Sequence, residues 1–290
     1  MNEPLRTRLR RAPILLAPGV HDPLTASLAT DAGAEALYLS GAAIAYTRLG
    51  RPDIGLPSMA EVADTIALIR DRVATPLIVD ADNGYGNALN MQRTMRVFER
   101  AGASALQIED QAYPKRCGHL SGKRLIAAAE MAGKLRAAVD ARQSSETLVI
   151  ARTDAIAVEG FEAAIARASL YAEAGADVLF VEAPRSEDEL GAVAGALKGI
   201  LPLMANMVEG GVTPLKSAAE LQALGFALVI FPGTAVRVIA RAARDVYGAL
   251  LREGSSRTFR DRMFAFNELN ALIGTPELLA LGKRYDGGAA

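Results

Sequence analysis

The sequence predicts an α/β fold of the (β/α)8 TIM barrel type with a C-terminal helical extension, and two observations carry that reading. The first is a recurring segment in which a helix-like stretch ends in glycine and runs straight into an apolar β run. It appears as AGAEALYLS from Ala32, AGASALQIED from Ala101, AGADVLFVEA from Ala174 and, more loosely, LGFALVIFPG from Leu224. Glycine tolerates the left-handed conformation that ends a helix, and a short unbroken apolar run suits a parallel strand buried on both faces. The copies start 69, 73 and 50 residues apart, one or two strand-helix units each, which is the spacing of a βα array and not of a solenoid. The second observation is the three- and four-residue apolar periodicity of the stretches between them, such as MAEVADTIALIRDR from Met59 and FEAAIARASLYAEA from Phe161. That is the pattern of amphipathic outer helices.

In order along the chain, strands are expected near 14–18, 36–40, 76–80, 105–109, 148–152, 178–182, 202–206 and 227–231. Eight strand-helix alternations suggest a closed barrel. A doubly wound open sheet is the alternative, but no GxGxxG turn follows the first strand, so a dinucleotide site has little support. The barrel is assigned to residues 1–251 and the helical extension to 252–290. The apolar residues of FRDRMFAFNELNALIG, from Phe259, need a surface to bury them, which predicts a homo-oligomer, a tetramer by expectation.

The formal net charge is -1, from 32 basic and 33 acidic residues, so no charge field favours nucleic acid or an anionic membrane as partner. A single cysteine excludes an internal disulfide framework, and no CxxC pair is present, which points to a cytoplasmic chain without a zinc ribbon. The basic start precedes only a short apolar run broken by Pro18, and the longest uncharged stretch, 221–236, contains glycine and proline. Neither a signal peptide nor a membrane span is expected. Low-complexity sequence is confined to a glycine and alanine tail.

Chemistry on such a barrel sits at the carboxyl ends of the strands. There the expected strands end in Ser40-Gly41, Asp80 with Asp82 beyond, Glu109-Asp110, Arg152-Thr153-Asp154, Glu182 and Asn206. Any one of these has a bland reading as a helix cap or a solvated charge, but all would converge on one mouth. Asp80, Asp82 and Glu109 place three carboxylates on neighbouring strands, and like charges that close raise one another's pKa unless a cation sits among them. Oxygen ligands without histidine or cysteine favour magnesium, or manganese, over zinc. Asp82 is expected as the direct ligand, with the other two reached through water. Arg152 would offer a fork to a substrate carboxylate, or else serve as a structural ion pair.

The segment from Gln111 to about Leu125 is long for a βα loop, as lids are. It holds KRCGHLSGK, Lys115 to Lys123, with the one cysteine, one of two histidines, and glycines 118 and 122 as candidate hinges. A lone cysteine is by default a small buried hydrophobe. Beside Lys115, Arg116 and His119 it is expected to have a lowered pKa and to act as a proton donor.

YLSGAA from Tyr38, PDIG from Pro52, VDADNGYGN from Val79, QIEDQ from Gln107, KRCGH from Lys115, ARTDA from Ala151, EAP from Glu182 and ANMVEGG from Ala205 together resemble the isocitrate lyase and phosphoenolpyruvate mutase superfamily. The resemblance covers nearly the whole chain, and KRCGH with VDAD upstream resembles its cysteine-bearing lyases. It implies magnesium at Asp82 with Asp80 and Glu109 in the outer shell. It implies a substrate carboxylate held by Ser40, Gly41, Ala42 and Arg152, and a pocket lined by Glu182, Asn206, Gly118 and His119, with Asp53 as an active-site aspartate. The implied reaction is a retro-Claisen cleavage of a small dicarboxylate: the 2-hydroxyl loses its proton near Tyr38, a 2-oxo acid leaves, and Cys117 protonates the enediolate. It also implies that terminal helices are exchanged between subunits. The continuation LSGK of the lid resembles dimethylmalate lyases and oxaloacetate acetylhydrolases, which favours a 2-alkylmalate such as 2,3-dimethylmalate. Oxaloacetate hydrolysis, methylisocitrate cleavage and a carboxyphosphonoenolpyruvate mutase activity stay open. A Schiff-base aldolase would need a lysine on a strand, and none of the six lysines falls on one. A non-catalytic binding barrel is the remaining alternative.

Overall fold

Eight parallel strands close on themselves in sequence order in the computed structural model, which describes residues 3–286. They are β1 (Leu15–Val20), β2 (Leu37–Leu39), β3 (Leu77–Asp80), β4 (Ala105–Glu109), β5 (Leu148–Thr153), β6 (Val178–Val181), β7 (Leu203–Asn206) and β8 (Leu228–Phe231). Each lies within two residues of its expected place. Closure is made by β1 against β8, with Leu15 beside Leu228 and Ala17 beside Ile230.

The helices in chain order are α1 (Leu5–Arg8), α2 (Pro23–Asp31), α3 (Gly41–Ile44), α4 (Met59–Arg72), α5 (Ala88–Ala101), α6 (Ala128–Ala141), α7 (Phe161–Glu173), α8 (Glu187–Ala196), α9 (Ala218–Leu224), α10 (Thr234–Glu253), α11 (Phe266–Leu272) and α12 (Thr275–Lys283). Their starts are written in the sequence. Ser58 with Glu61 and Ser217 with Glu220 form reciprocal capping boxes on α4 and α9, and Asp22 caps α2 ahead of Pro23. Each satisfies amide donors that a helix start leaves without partners. The chain forms two compact units, one up to Val236 and one from Arg237. The second holds most of α10, then α11 and α12. The glycine and alanine tail lies outside the described residues. No helix among the described residues is long and apolar enough to cross a membrane.

Two apolar clusters alternate along the strands. Leu37, Leu39, Leu77, Val79, Val149, Ala151 and Leu179 belong to the cluster shared with the outer helices. Their neighbours Tyr38, Ile78, Ile150, Val178 and Phe180 belong to a second cluster with Leu15, Met204 and Leu228, which fills the barrel. Successive side chains of a strand point to opposite faces, so position parity decides which residues enter the lumen. Continuing that parity to the carboxyl ends places Ser40, Asp80, Gln107, Glu109, Arg152, Glu182 and Asn206 inside.

The opposite parity sends Asp110 and Thr153 outward, which corrects the expectation that every polar strand-end residue converges on the mouth. The Asp110 carboxylate accepts from Thr153 Oγ1 at 2.7 Å, Tyr171 Oη at 2.8 Å and Arg167 Nη1 at 3.3 Å. Arg167 is held in turn by Glu159. This buried network ties β4 and β5 to α7, and every charge in it has a partner, as burial demands.

Gly19 shows how tightly the barrel is drawn at the β1–β8 seam. A Cβ there would stand 2.3 Å from the Pro232 carbonyl oxygen and 2.7 Å from its Cα, both backbone atoms that cannot swing aside. Gly19→Ala is expected to lower stability by about 2–3 kcal/mol, the usual cost of overpacking. Urea unfolding checks this; an unchanged midpoint would show that the seam opens freely.

Candidate active site

Asp80, at the last position of β3, organises the floor of the mouth. Its Oδ2 accepts from the Gly41 amide at 3.3 Å, and its Oδ1 accepts from the Asp82 amide at 3.2 Å and from Gln107 Nε2 at 3.4 Å. Gln107 Oε1 accepts from Tyr38 Oη at 2.5 Å. Burial, and then the Asp80 charge, push the Tyr38 phenol well above its ordinary range. It therefore stays protonated and serves as a donor, and its proton is committed to Gln107. Ser40 caps α3 through the Ala43 amide at 3.2 Å, which turns Gly41 and Ala42 over Asp80.

Beyond β3 the chain takes left-handed turns at Asp82, φ 45°, and Tyr85, φ 60°. Non-glycine residues rarely adopt this conformation, which costs about 1–3 kcal/mol and marks sites where the surroundings dictate the backbone. Lys134, buried on α6, donates to the Asn83 carbonyl between them. The turn aims the Asp82 carboxylate into the lumen. Burial raises its pKa to about 6, against the opposing pull of Lys115. Glu109 is raised well above the carboxylate range, again by burial first.

The loop from 111 to 125 folds over this floor. An antiparallel bridge between Gln111 and Leu125 closes its base, and the Gln111 side chain bonds the Arg116 amide and carbonyl at 2.9 and 2.8 Å. The Cys117 amide donates to the Asp53 carbonyl at 3.2 Å. Lys115 reaches Asp53 Oδ1 at 2.5 Å and Asp82 Oδ1 at 2.8 Å. Lys115 is therefore the counter-charge for the carboxylate cluster, which sequence reasoning had left without one.

Lys115 also corrects the expectation for Cys117. The lysine turns away toward Asp53 and Asp82, and Arg116 donates to the Ser121 carbonyl at 3.0 Å. Burial then dominates, and the thiol is raised above its ordinary value, not lowered. Cys117 stays a neutral thiol through neutral pH, which still carries the proton a donor needs.

His119 Nδ1 accepts from the Val212 amide at 3.1 Å, so in the neutral ring the proton sits on Nε2, 3.4 Å from Glu182 Oε1. Asn206 Nδ2 lies 3.1 Å from Glu182 Oε2. Gly118 is no left-handed hinge; only Gly122, φ 77°, has that conformation. Gly118 instead marks a close approach, since a Cβ there would stand 2.5 Å from Arg152 Nη2 and 2.7 Å from Glu182 Cγ. Arg152 stacks over Phe180 at 5.3 Å and gives Nε and Nη2 to Asp154, at 2.9 and 3.1 Å. Both readings of this arginine thus have a physical basis: part of the guanidinium is a fixed ion pair, and its remaining N–H groups face the lumen.

Three buried polar atoms that lack a hydrogen bond gather here, Glu109 Oε1, His119 Nε2 and Asn206 Oδ1, while Asp82 Oδ1 has the Lys115 ammonium as its one partner. Around the lumen, Asp53, Asp80, Asp82, Glu109, Asp154 and Glu182 are buried with Lys115, Lys123 and Arg152, and with Lys134, which is engaged by the Asn83 carbonyl. That excess of carboxylates and the unpartnered Glu109 Oε1 fit a hard divalent cation beside Asp82. Among the described residues no group of three His, Cys, Asp or Glu side chains is placed to hold a metal ion by itself. A cavity of about 300 Å³ bordered by Gly55, Ser58, Asp82, Tyr85, Tyr113 and Lys115 reaches the same carboxylate.

Fold and site together define a barrel enzyme that handles anionic substrates over a carboxylate floor. Residues 5–251 match the phosphoenolpyruvate phosphomutase family. The 2,3-dimethylmalate lyase of Eubacterium barkeri is 38% identical over 97% of this chain and 96% of its own. The 2-methylisocitrate lyase of Aeropyrum pernix is 46% identical over 93% of this chain and 86% of its own. A solved structure of oxaloacetate acetylhydrolase with the inhibitor 3,3-difluorooxalacetate superposes with a TM-score of 0.92 at 33% identity, covering 100% of this chain and 98% of that one. The chain belongs to the isocitrate lyase and phosphoenolpyruvate mutase superfamily, on its lyase branch. It is an enzyme of the carbon-carbon lyase class acting on a small 2-hydroxy or 2-oxo dicarboxylate, and membership implies a divalent metal.

Sequence reasoning placed Asp154 at the mouth without a role, and missed Gln107 and Lys123 as members of the site. Gln107 was detectable as a polar residue of lumen parity inside an apolar strand; Lys123, and its pairing with Asp154, become visible only when the loop is folded over the mouth.

A carboxylic acid whose folded pKa exceeds its unfolded value stabilises the fold at low pH, and that contribution is lost as pH rises through the folded value. For Asp82 the loss falls between about pH 4 and 6. Metal binds the ionised form, so the rise in melting temperature on adding magnesium to chelator-treated protein should be small at pH 5 and several degrees at pH 7.5. Equal shifts at both values would remove Asp82 from the metal site.

Proposed function

We propose that the chain cleaves the carbon-carbon bond of a small 2-hydroxy di- or tricarboxylate by retro-Claisen chemistry, releasing a 2-oxo acid and a second carboxylate. The observation that carries this is the convergence of the buried carboxylates of Asp82 and Glu109 with Asn206 and with His119 of the cysteine-bearing loop, where Glu109 Oε1, His119 Nε2 and Asn206 Oδ1 lack a hydrogen bond. In this reading Asp82, with Asp80 and Glu109 behind it, holds magnesium or manganese, and the ion, when bound, supplies Lewis-acid stabilisation to the substrate oxygens. The Arg152 guanidinium and the segment Ser40, Gly41 and Ala42 at the end of β2 hold the carboxylate, the Gly41 amide exchanging its bond to Asp80 for the substrate. Asp53 fixes Lys115 at the base of the loop, while His119 donates from Nε2 into the pocket with Glu182 and Asn206. The 2-hydroxyl proton passes to a carboxylate of the lumen, since Tyr38 is a donor to Gln107 and cannot accept it. When the bond breaks, its electron pair stays on the departing carboxylate fragment as an enediolate, and Cys117 delivers the proton that neutralises it.

Among the candidate substrates, the higher identity to a 2-methylisocitrate lyase, 46% against 38%, weighs for 2-methylisocitrate over the 2,3-dimethylmalate favoured by the lid sequence. The loop supports the smaller substrate in that its two buried lysines, Lys115 and Lys123, are both occupied by internal carboxylates, and its arginines, Arg116 and Arg124, are exposed. A coupled assay for the 2-oxo acid across 2-methylisocitrate, 2,3-dimethylmalate and other 2-alkylmalates, with acetate release from oxaloacetate, decides between them. Turnover should stop with chelator and return with magnesium. In the same assay Cys117→Ser should lower kcat by about a hundred- to ten-thousand-fold while dicarboxylate binding persists. Near-normal turnover in that variant would remove the thiol from the mechanism.

The second unit supports an oligomer. Leu251, Phe266, Leu278, Leu279 and Tyr285 are each more than 60% exposed, an apolar surface of the kind subunits cover. We expect a tetramer with exchanged terminal helices. Light scattering should give about four times the 30.5 kDa chain mass, and a monomer mass would reject it.

A further inference from the structure

We propose that Lys123 is a positioning residue that couples closure of the 111–125 loop to the anion-binding competence of Arg152, acting through Asp154. Lys123 lies on the returning arm of the loop, with a side chain only 2% exposed. Its ammonium donates to the Gly118 carbonyl and, at 3.0 Å, to Asp154 Oδ1. That same oxygen accepts from Arg152 Nη2 at 3.1 Å, and Gly118 itself packs against Arg152 and Glu182. Lys123, Asp154, Arg152 and Gly118 therefore form a closed ring in which every member touches the next. Asp154 is fully buried, and the arginine and the lysine hold it in its ionised form against that burial.

Electrostatics gives the ring its purpose. Arg152 is flanked by three carboxylates, Asp154 at 2.9 Å, Glu109 at 3.4 Å and Glu182 at 3.6 Å, and an arginine so surrounded attracts an anion poorly. Lys123 shares the Asp154 charge and so restores net positive character to the guanidinium only while the loop is closed. Drawing the loop open strips a buried carboxylate of one partner, which is unfavourable at low dielectric. Closure and substrate-carboxylate binding thus favour one another, as two ligands do when they stabilise the same state.

The inference rests on Arg152 as the carboxylate anchor of the proposed function, so the test has one arm that needs no substrate. In magnesium-loaded protein, alkylation of Cys117 by iodoacetamide, followed by mass spectrometry, reports loop opening. Lys123→Met should speed it about tenfold and raise KM for whichever substrate the panel identifies about tenfold, with a change in kcat smaller than that in KM. Asp154→Asn should do the same, and the double variant should be no worse than the Asn variant alone, because both remove one coupling. Alkylation unchanged in Lys123→Met, multiplied effects in the double variant, or a fall in kcat at constant KM would each overturn the proposal. Circular dichroism checks folding, and Lys123→Gln, which keeps a donor for Gly118, replaces a methionine variant that does not fold. A wild-type chain inactive across the whole panel would count against the proposed function while leaving the alkylation result intact.

Discussion

Side-chain alternation along eight short parallel strands is the constraint on which the rest of the molecule depends. Because the period is two, fixing Ile78, Ile150 and Phe180 in the barrel fixes Asp80, Arg152 and Glu182 at its mouth, and a register slip of one residue would exchange the entire active surface for the helix-facing one. Apolar packing below and chemistry above are therefore one decision. The same rule explains Asp110 and Thr153, adjacent in sequence to lumen residues yet built into the network with Arg167 and Tyr171 that joins β4 and β5 to α7.

Burial is the second determinant, because it sets the chemistry of individual groups against what their sequence neighbours suggest. Lys115 and Arg116 sit beside Cys117 in the chain, but chain proximity is a poor guide in a folded loop: both cations turn elsewhere, and the thiol meets mainly low dielectric. Tyr38 is likewise a buried donor. Burial holds the Asp82 pKa at about 6 and that of Glu109 well above the carboxylate range, and a cation beside them would favour the ionised forms.

The fold was legible because local signals agreed: glycine-ended helices led into apolar runs, and capping residues stood where helices begin. The strands could be placed to within two residues, and the strand-borne site residues followed from the fold. The loop was less legible. Its length, its cysteine and its glycines marked it as a lid, but which carboxylate each lysine would find depends on a three-dimensional course that periodicity does not encode. Gly118 illustrates the limit, since its sequence suggests flexibility while its surroundings require the absence of a side chain.

That absence has a consequence for water. At the Gly118 contact even a methyl group would lie 2.5 Å from Arg152 Nη2, closer than the 2.7 Å or more that a water oxygen needs from a nitrogen donor. The loop therefore meets Arg152 and Glu182 by backbone alone, without a side-chain plug. Cavities of about 530 Å³ beside Gly118, His119 and Lys123, and of about 300 Å³ beside Asp82, Tyr113 and Lys115, border the same loop. The tight contact is thus a point and not a wall, and water has room to stand at either arm of the loop.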